Sequence, residues 1–230
     1  VFKMFLNWTV ENLYSTNLEY KGFKPIQQKD TLKVALMPEE VEKIRKVDLT
    51  SKQYLEKVRS LFILSTLTGL RYSDYSKIKK EHLKQEADGA CILQIRQQKT
   101  GDTVELPLTT EAESIVRQLL VGTIRAITNQ RMNEYVKELC ELAEINEPFE
   151  TYQFKGKLVV TSTQPKYKLV STHTGRRTFA TNLLLQNVPA ETVMMFTGHR
   201  DYKSFAKYVN IPKKTKMDMV KNALNKMSVS

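Results

Sequence analysis

The chain has 230 residues and a hydrophobic fraction of 41%, enough for one sizeable core or one domain with appendages. A formal net charge of +11 points to a polyanionic partner, with DNA favoured; no strongly amphipathic basic helix dominates, which argues against a membrane surface. There is no run of ~18 apolar residues and no signal-peptide pattern, while Cys91 and Cys140 give no disulfide framework and fit buried thiols in a reducing cytosol.

Residues 1–20 read as the end of an amphipathic helix, with Phe2, Phe5, Leu6, Val10 and Leu13 on one side. Gly22-Phe23-Lys24-Pro25 is turn and linker chemistry. Pro38-Glu39-Glu40 opens a helix, with proline in the first turn and acids near the positive helix end. Residues 52–67 carry Leu55, Val58, Leu61 and Phe62 at helical spacing and run into Gly69. The period then changes: Cys91–Ile95 and Thr103–Leu106 flank Thr100-Gly101-Asp102, which predicts a hairpin over 90–108.

Thr110 and Glu113 form a capping box for the next helix. Another helix covers 129–144 with Met132, Val136, Leu139 and Ala143 as its apolar stripe. Residues 154–172 read as a loop or small second hairpin. Helices return over 173–187 and, from Pro189, 189–197, and a short one leads to Tyr208. After Pro212, Met217, Val220, Leu224 and Met227 make an apolar helical stripe. The whole reads as mostly α with a small antiparallel β-sheet, without internal repeats.

The residues with chemistry lie in four places. Arg71 stands in Thr68-Gly69-Leu70-Arg71, with Asp74 three residues on and on the same helical face. Lys99 sits at the hairpin turn; His173 and Arg176 share a helix face; Gly198-His199 is followed nine residues later by Tyr208. Two guanidinium forks can clamp a phosphate. Two histidines can move protons or donate to a charged oxygen. A tyrosine hydroxyl can attack phosphorus and hold it covalently. No P-loop, carboxylate cluster or zinc-ligand spacing is present, so no cofactor and no metal are expected.

In that order, and with the flanks His-Thr-Gly-Arg-Arg-Thr-Phe-Ala-Thr and Thr-Gly-His, these residues resemble the catalytic domain of the tyrosine recombinases, most of all the integrases of mobile elements. The resemblance runs from about Leu32 to Tyr208. It implies the tyrosine recombinase catalytic-domain fold over 31–209. Residues 1–30 would be the end of a truncated N-terminal helical core-binding domain plus linker, and 210–230 a C-terminal tail helix. It makes Tyr208 the nucleophile, Arg71, Arg176 and His199 the phosphate contacts, and Lys99 the acid for the leaving 5′ oxygen. His173 becomes a proton acceptor or positioning group for Tyr208, and Asp74 a partner that orients Arg71. Arg177 stands where many relatives carry histidine, and Tyr202, the competing hydroxyl, stands where they carry an aliphatic residue.

The implied reaction is cleavage of double-stranded DNA through a 3′-phosphotyrosine, then strand exchange through a Holliday junction, without ATP or metal. The implied partners are DNA, further copies in a tetramer joined through the tail helix, and accessory DNA-bending proteins; the implied location is the cytoplasm. Two other readings stay open: a type IB topoisomerase, which uses the same kind of residues, and a catalytically inactive DNA-binding relic.

Overall fold

The computed structural model describes residues 2–22, 33–155, 158–206, 208, 209, 211 and 213–227. Most of the linker segment read from Gly22 to Pro25, and Pro212, lie outside the described residues.

Helix α1 (Phe2–Glu11) buries none of its residues. It is shorter than its apolar stripe suggested: Leu13 lies beyond the helix, at φ 61° and 91% exposed. Instead of packing on a core, the segment stacks on itself, Phe5 on Trp8 at 6.2 Å and Trp8 on Tyr14 at 5.5 Å.

The main core is built around α3 (Tyr54–Thr68). Leu55, Val58, Leu61, Phe62, Ile63 and Leu64 are buried on every side of it, the signature of a central helix. Before it, α2 (Pro38–Lys46) starts with Pro38, and Glu40 reaches back to accept from Met37 N at 2.7 Å. Glu40 also takes the buried Lys166 ammonium at 2.5 Å, which ties α2 to a segment 126 positions on.

After the one-turn helix α4 (Tyr72–Tyr75) comes an antiparallel sheet of β1 (Leu83–Gln85), β2 (Cys91–Arg96) and β3 (Thr103–Pro107) in that order. Leu93 faces Leu106 and Ile95 faces Val104, and the period-two pattern buries all four. The hairpin follows the sequence reading; β1 adds a strand whose three polar-flanked residues give no periodic signal.

Helix α5 (Thr110–Leu120) departs from its expected cap. Thr109 is the N-cap, its hydroxyl accepting from Ala112 N at 3.2 Å, and Glu113 pairs with Arg117 at 2.6 Å instead of closing a box with Thr110. Helix α6 (Asn129–Leu142) buries Met132, Val136, Leu139 and Cys140. The second hairpin, β4 (Pro148–Lys155) with β5 (Leu158–Pro165), starts earlier than the predicted 154–172, because Glu150-Thr151-Tyr152-Gln153 carries no alternation.

Helices α7 (Thr172–Leu185), α8 (Ala190–Thr197), α9 (Tyr202–Ala206) and α10 (Lys213–Met227) follow. Helix α7 joins two cores: Phe179 packs in the main one, and Ala180 meets Val193 and Phe205 in a smaller one that includes Tyr208. This places the C-terminal residues of interest over the end of α3.

Candidate active site

Arg71 is aimed by a helix break. Helix α3 ends when Gly69 takes the left-handed conformation at φ 65°, its N–H bonding Ser65 O at 3.0 Å. Any side chain there would collide with the Phe179 ring, 2.4 Å from a Cβ. The chain turns, Leu70 is buried, and Arg71 becomes the N-cap of α4. Its Nη1 donates to Gln97 Oε1 and lies 3.9 Å from Asp74 Oδ2. Asp74 therefore stands beside Arg71 as read from the sequence. Its firm bonds go elsewhere, however: Oδ1 accepts from Gln98 N at 3.1 Å and from Ser73 Oγ at 3.3 Å. A buried carboxylate thus fastens the β2–β3 hairpin to α4.

That hairpin carries Lys99 at an exposed turn, closed by Gln97 N to Asp102 O at 2.8 Å and Gly101 N to Gln97 O at 2.9 Å. Arg200, next to His199, clips it, its Nη2 reaching Asp102 Oδ1 at 2.9 Å and Thr100 O at 3.2 Å. The Lys99 charge is felt at both His173 and His199.

Arg176 is 1% exposed. A buried guanidinium needs acceptors. It finds them in the carbonyls of Gly69, at 2.7 Å, and of Thr197, at the C-terminal ends of α3 and α8. Helix ends leave such carbonyls unpaired and carry partial negative charge, so two of them suit one fork. Burial nevertheless pulls the Arg176 pKa down to about 10, against the pull of Tyr208.

His173, on the first turn of α7, has an open surface, yet the surrounding protein removes enough solvent to lower its pKa; the charges of Arg177, Arg176, Arg71 and Lys99 lower it further. His199 follows the left-handed Gly198, φ 58°. Its pKa falls to about 4, first through desolvation and then through Arg176 and Arg71. Nδ1 lies 2.7 Å from Thr197 Oγ1, and that hydroxyl donates to Val193 O at 2.8 Å. With the hydroxyl proton directed at Val193 O, the ring proton lies on Nδ1 and Nε2 of neutral His199 accepts; with the hydroxyl turned to Nδ1, Nε2 carries the proton and donates. Donation from Nε2 to a phosphate oxygen requires protonation of the ring, which an arriving anion favours, or transfer of the hydroxyl's hydrogen bond to Nδ1.

Tyr208 completes the cluster. Its ring lies 4.9 Å from the His199 ring, with the guanidinium of Arg177 5.3 Å and that of Arg176 5.9 Å from its centre. The hydroxyl is buried, and among the described residues no group reaches it with full hydrogen-bond geometry, so the nearby Arg176 acts on it chiefly as charge. Burial raises the phenol pKa while Arg176, Arg177 and Arg71 oppose the rise. Tyr202 is 63% exposed and rests against Phe205 at 6.3 Å, outside the cluster.

The structure thus gathers Arg71, Arg176, His199 and Tyr208, with His173 and Lys99 at the rim. Four neighbours were not singled out as site residues by sequence reasoning: Gln97, Thr197, Arg177 and Arg200. Gln97 did leave a signal. It continues the inward parity of Cys91, Leu93 and Ile95, so a polar side chain was due at a buried position.

Among the described residues no three His, Cys, Asp or Glu side chains converge as a metal site, and no helix is long and apolar enough to cross a membrane.

The model of the phage integrase family matches residues 35–215. No curated protein matches the chain. Among solved structures, residues 75–356 of lambda integrase, a dimer bound to a COC′ core site, align with a TM-score of 0.62 at 15% identity, covering 89% of this chain and 69% of that one. XerH site-specific recombinase, in a post-cleavage complex with palindromic difH substrate, aligns at 0.61 and 17% identity over 86% of this chain. The aligned part is 55% of the XerH chain, so this chain spans little more than half of that relative. The Tn1549 transposon integrase (residues 82–397), in complex with circular intermediate DNA, aligns at 0.54 and 13% identity over 94% of this chain and 74% of that one. At such identities the likeness is one of fold; with the family model spanning most of the chain, the protein belongs to the phage integrase family, the tyrosine recombinases, and has their catalytic-domain fold.

Proposed function

We propose that this protein cleaves and rejoins double-stranded DNA through a phosphotyrosine on Tyr208, exchanging strands between two duplexes. One arrangement carries the reading: the Tyr208 ring is enclosed by His199, Arg176 and Arg177, and Arg71 is tied to the same corner through Gln97. Tyr208 Oη attacks phosphorus, the bond to the 5′ oxygen breaks, and that oxygen takes a proton from Lys99. A buried phenol is held protonated, so its proton needs an acceptor. His173 serves, because its lowered pKa keeps the imidazole neutral near pH 7.

Arg71, Arg176 and His199 offset the charge on the non-bridging oxygens, donors of a kind whose single removal costs about 3–4 kcal/mol. Arg176 has N–H groups left for this, since the two carbonyls take two of a guanidinium's five. Asp74 holds the hairpin and the Arg71 turn together. The phosphotyrosine keeps the energy of the broken bond, so the 5′-hydroxyl of a second duplex can displace the tyrosine, and the exchange runs through a Holliday junction without ATP. Insertion or excision of a mobile element is the use proposed for it.

DNA as partner is supported by the charge of +11 and by the DNA in the XerH, lambda and Tn1549 complexes. In this reading 31–209 is the catalytic domain, 1–30 the end of a core-binding domain with its linker, and the protein works on DNA in the cytoplasm, with accessory DNA-bending proteins. The tail helix α10, with Met217 63% and Val220 56% exposed, joins copies into a tetramer on DNA.

A strand-transfer assay tests the class of reaction. Nicked duplexes randomised around the nick are selected for covalent capture, and the selected site is offered a second duplex with a free 5′-hydroxyl. Transfer of the labelled strand is expected. Relaxation of a supercoiled plasmid without transfer would mark a topoisomerase, and salt-sensitive binding without covalent product a DNA-binding relic.

A further inference from the structure

Gln97 is fully buried at the end of β2, two residues before Lys99. Its Oε1 accepts from Arg71 Nη1 and lies 3.4 Å from Thr100 Oγ1, while its backbone closes the hairpin at both N–H and C=O. The same amide lies against the His199 corner: a Cβ placed on Gly198 would fall 2.5 Å from Oε1 and 2.9 Å from Nε2. One side chain thus touches the turn of Arg71, the hairpin of Lys99 and the corner of His199. Its Nε2 is buried with no hydrogen-bond partner among the described residues. A methionine or leucine would fill this inward position without leaving an N–H₂ group unsatisfied, so packing alone does not explain a glutamine here.

We propose that Gln97 is a positioning residue, which fixes the direction of the Arg71 guanidinium and keeps the Lys99 hairpin in register with the Gly198–His199 corner. Its neutrality matters as much as its reach. A carboxylate at this place would join Asp74, 3.9 Å from Arg71, as a second buried negative charge and offset the charge that a phosphate needs, whereas an amide oxygen orients the fork without adding one. The role rests on the reading of Arg71 as a phosphate clamp.

The test uses Gln97→Met, Gln97→Glu, Arg71→Lys and the double variant Gln97→Met/Arg71→Lys, with thermal melts confirming that each folds. The first readout is independent of activity: nitrogen-15 NMR of the arginine guanidinium groups. Arg71 is expected to give separate, slowly exchanging Nη signals in the wild type and in Gln97→Glu, and collapsed ones in Gln97→Met.

The second readout is the single-turnover rate of covalent complex formation on the selected nicked duplex at saturating protein. Gln97→Met is expected to lower that rate by about 10- to 100-fold with DNA affinity changed less than about twofold, and Gln97→Glu to lower it at least as much despite its ordered Arg71. The double variant is expected to be no slower than Arg71→Lys alone, since Gln97 acts through Arg71.

Unchanged Arg71 signals in Gln97→Met, or rates that multiply in the double variant, would overturn the proposal and leave Gln97 a space-filling residue. Failure of the underlying reading looks different. It would show as an Arg71→Lys rate equal to wild type, or as no covalent complex from wild type, and in either case the NMR signals still decide the Gln97–Arg71 link.

Discussion

The guanidinium of Arg177 lies 5.3 Å from the centre of the Tyr208 ring, closer than that of Arg176. Burial drives the Tyr208 phenol upward and Arg177 is one of the charges that oppose it. Removing that charge with Arg177→Ala therefore raises the phenol pKa further. The rise of the cleavage rate with pH is expected to move to higher pH and the rate near pH 7 to fall several-fold. Arg177→Lys, which keeps the charge but not the planar contact, is expected to fall between the two.

The pKa of His199 is lowered from 6.5 to about 4 and that of His173 is lowered as well. For both, the unfolded chain binds more protons at mildly acid pH than the folded one, so this contribution is complete above about pH 6.5 and is lost as pH falls toward 4. Melting temperatures are expected to decline across that window, and His199→Gln is expected to flatten the decline. Bound DNA is expected to reduce the same pH dependence, because a phosphate favours the protonated ring.

Gly198 combines φ 58° with an approach to Gln97 that leaves no room for a Cβ. Left-handed backbone costs an alanine about 1–2 kcal/mol before any collision is counted. Gly198→Ala is expected to lower the melting temperature by roughly 4–8 °C. In a Gln97→Ala background the same change is expected to cost less, since the colliding amide is gone. Equal losses in the two backgrounds would show that the corner does not rest on Gln97.

Binding of duplex DNA is expected to weaken steeply with salt, with a log–log slope of about −0.9 for each phosphate contacted. Arg71→Ala is expected to reduce the slope by about one unit on every sequence tested. A slope near zero would contradict a phosphate-led interface.

Much of this molecule was legible because its elements carry strong local signals. The stripe Leu55, Val58, Leu61, Phe62 and the alternation of Cys91, Leu93 and Ile95 mark α3 and β2 with little ambiguity. The misses have local causes too. Thr109 and Thr110 offer the same hydroxyl one residue apart, so the cap was placed one residue late. The strand β1 is three residues long and exists only because β2 presents an edge to it.

The site residues stood out through their spacing and resemblance, but their partners did not. Arg176 bonds the carbonyl of Gly69, 107 positions away, and a backbone acceptor leaves no mark in a sequence. Arg71 finds Gln97 across 26 positions, and the tautomer of His199 depends on whether Val193 O or Nδ1 takes the Thr197 hydroxyl proton. Such relationships belong to the tertiary structure.

The central claim is that Tyr208, enclosed by His199 and two arginines, is the nucleophile, whereas Tyr202 is a surface ring. Covalent trapping on the selected nicked duplex, comparing wild type, Tyr208→Phe and Tyr202→Phe, tests it most directly. A DNA-shifted protein band is expected from wild type and Tyr202→Phe and is expected to be absent from Tyr208→Phe, with DNA binding intact in all three. A band that survives in Tyr208→Phe, or that disappears only in Tyr202→Phe, would contradict the account.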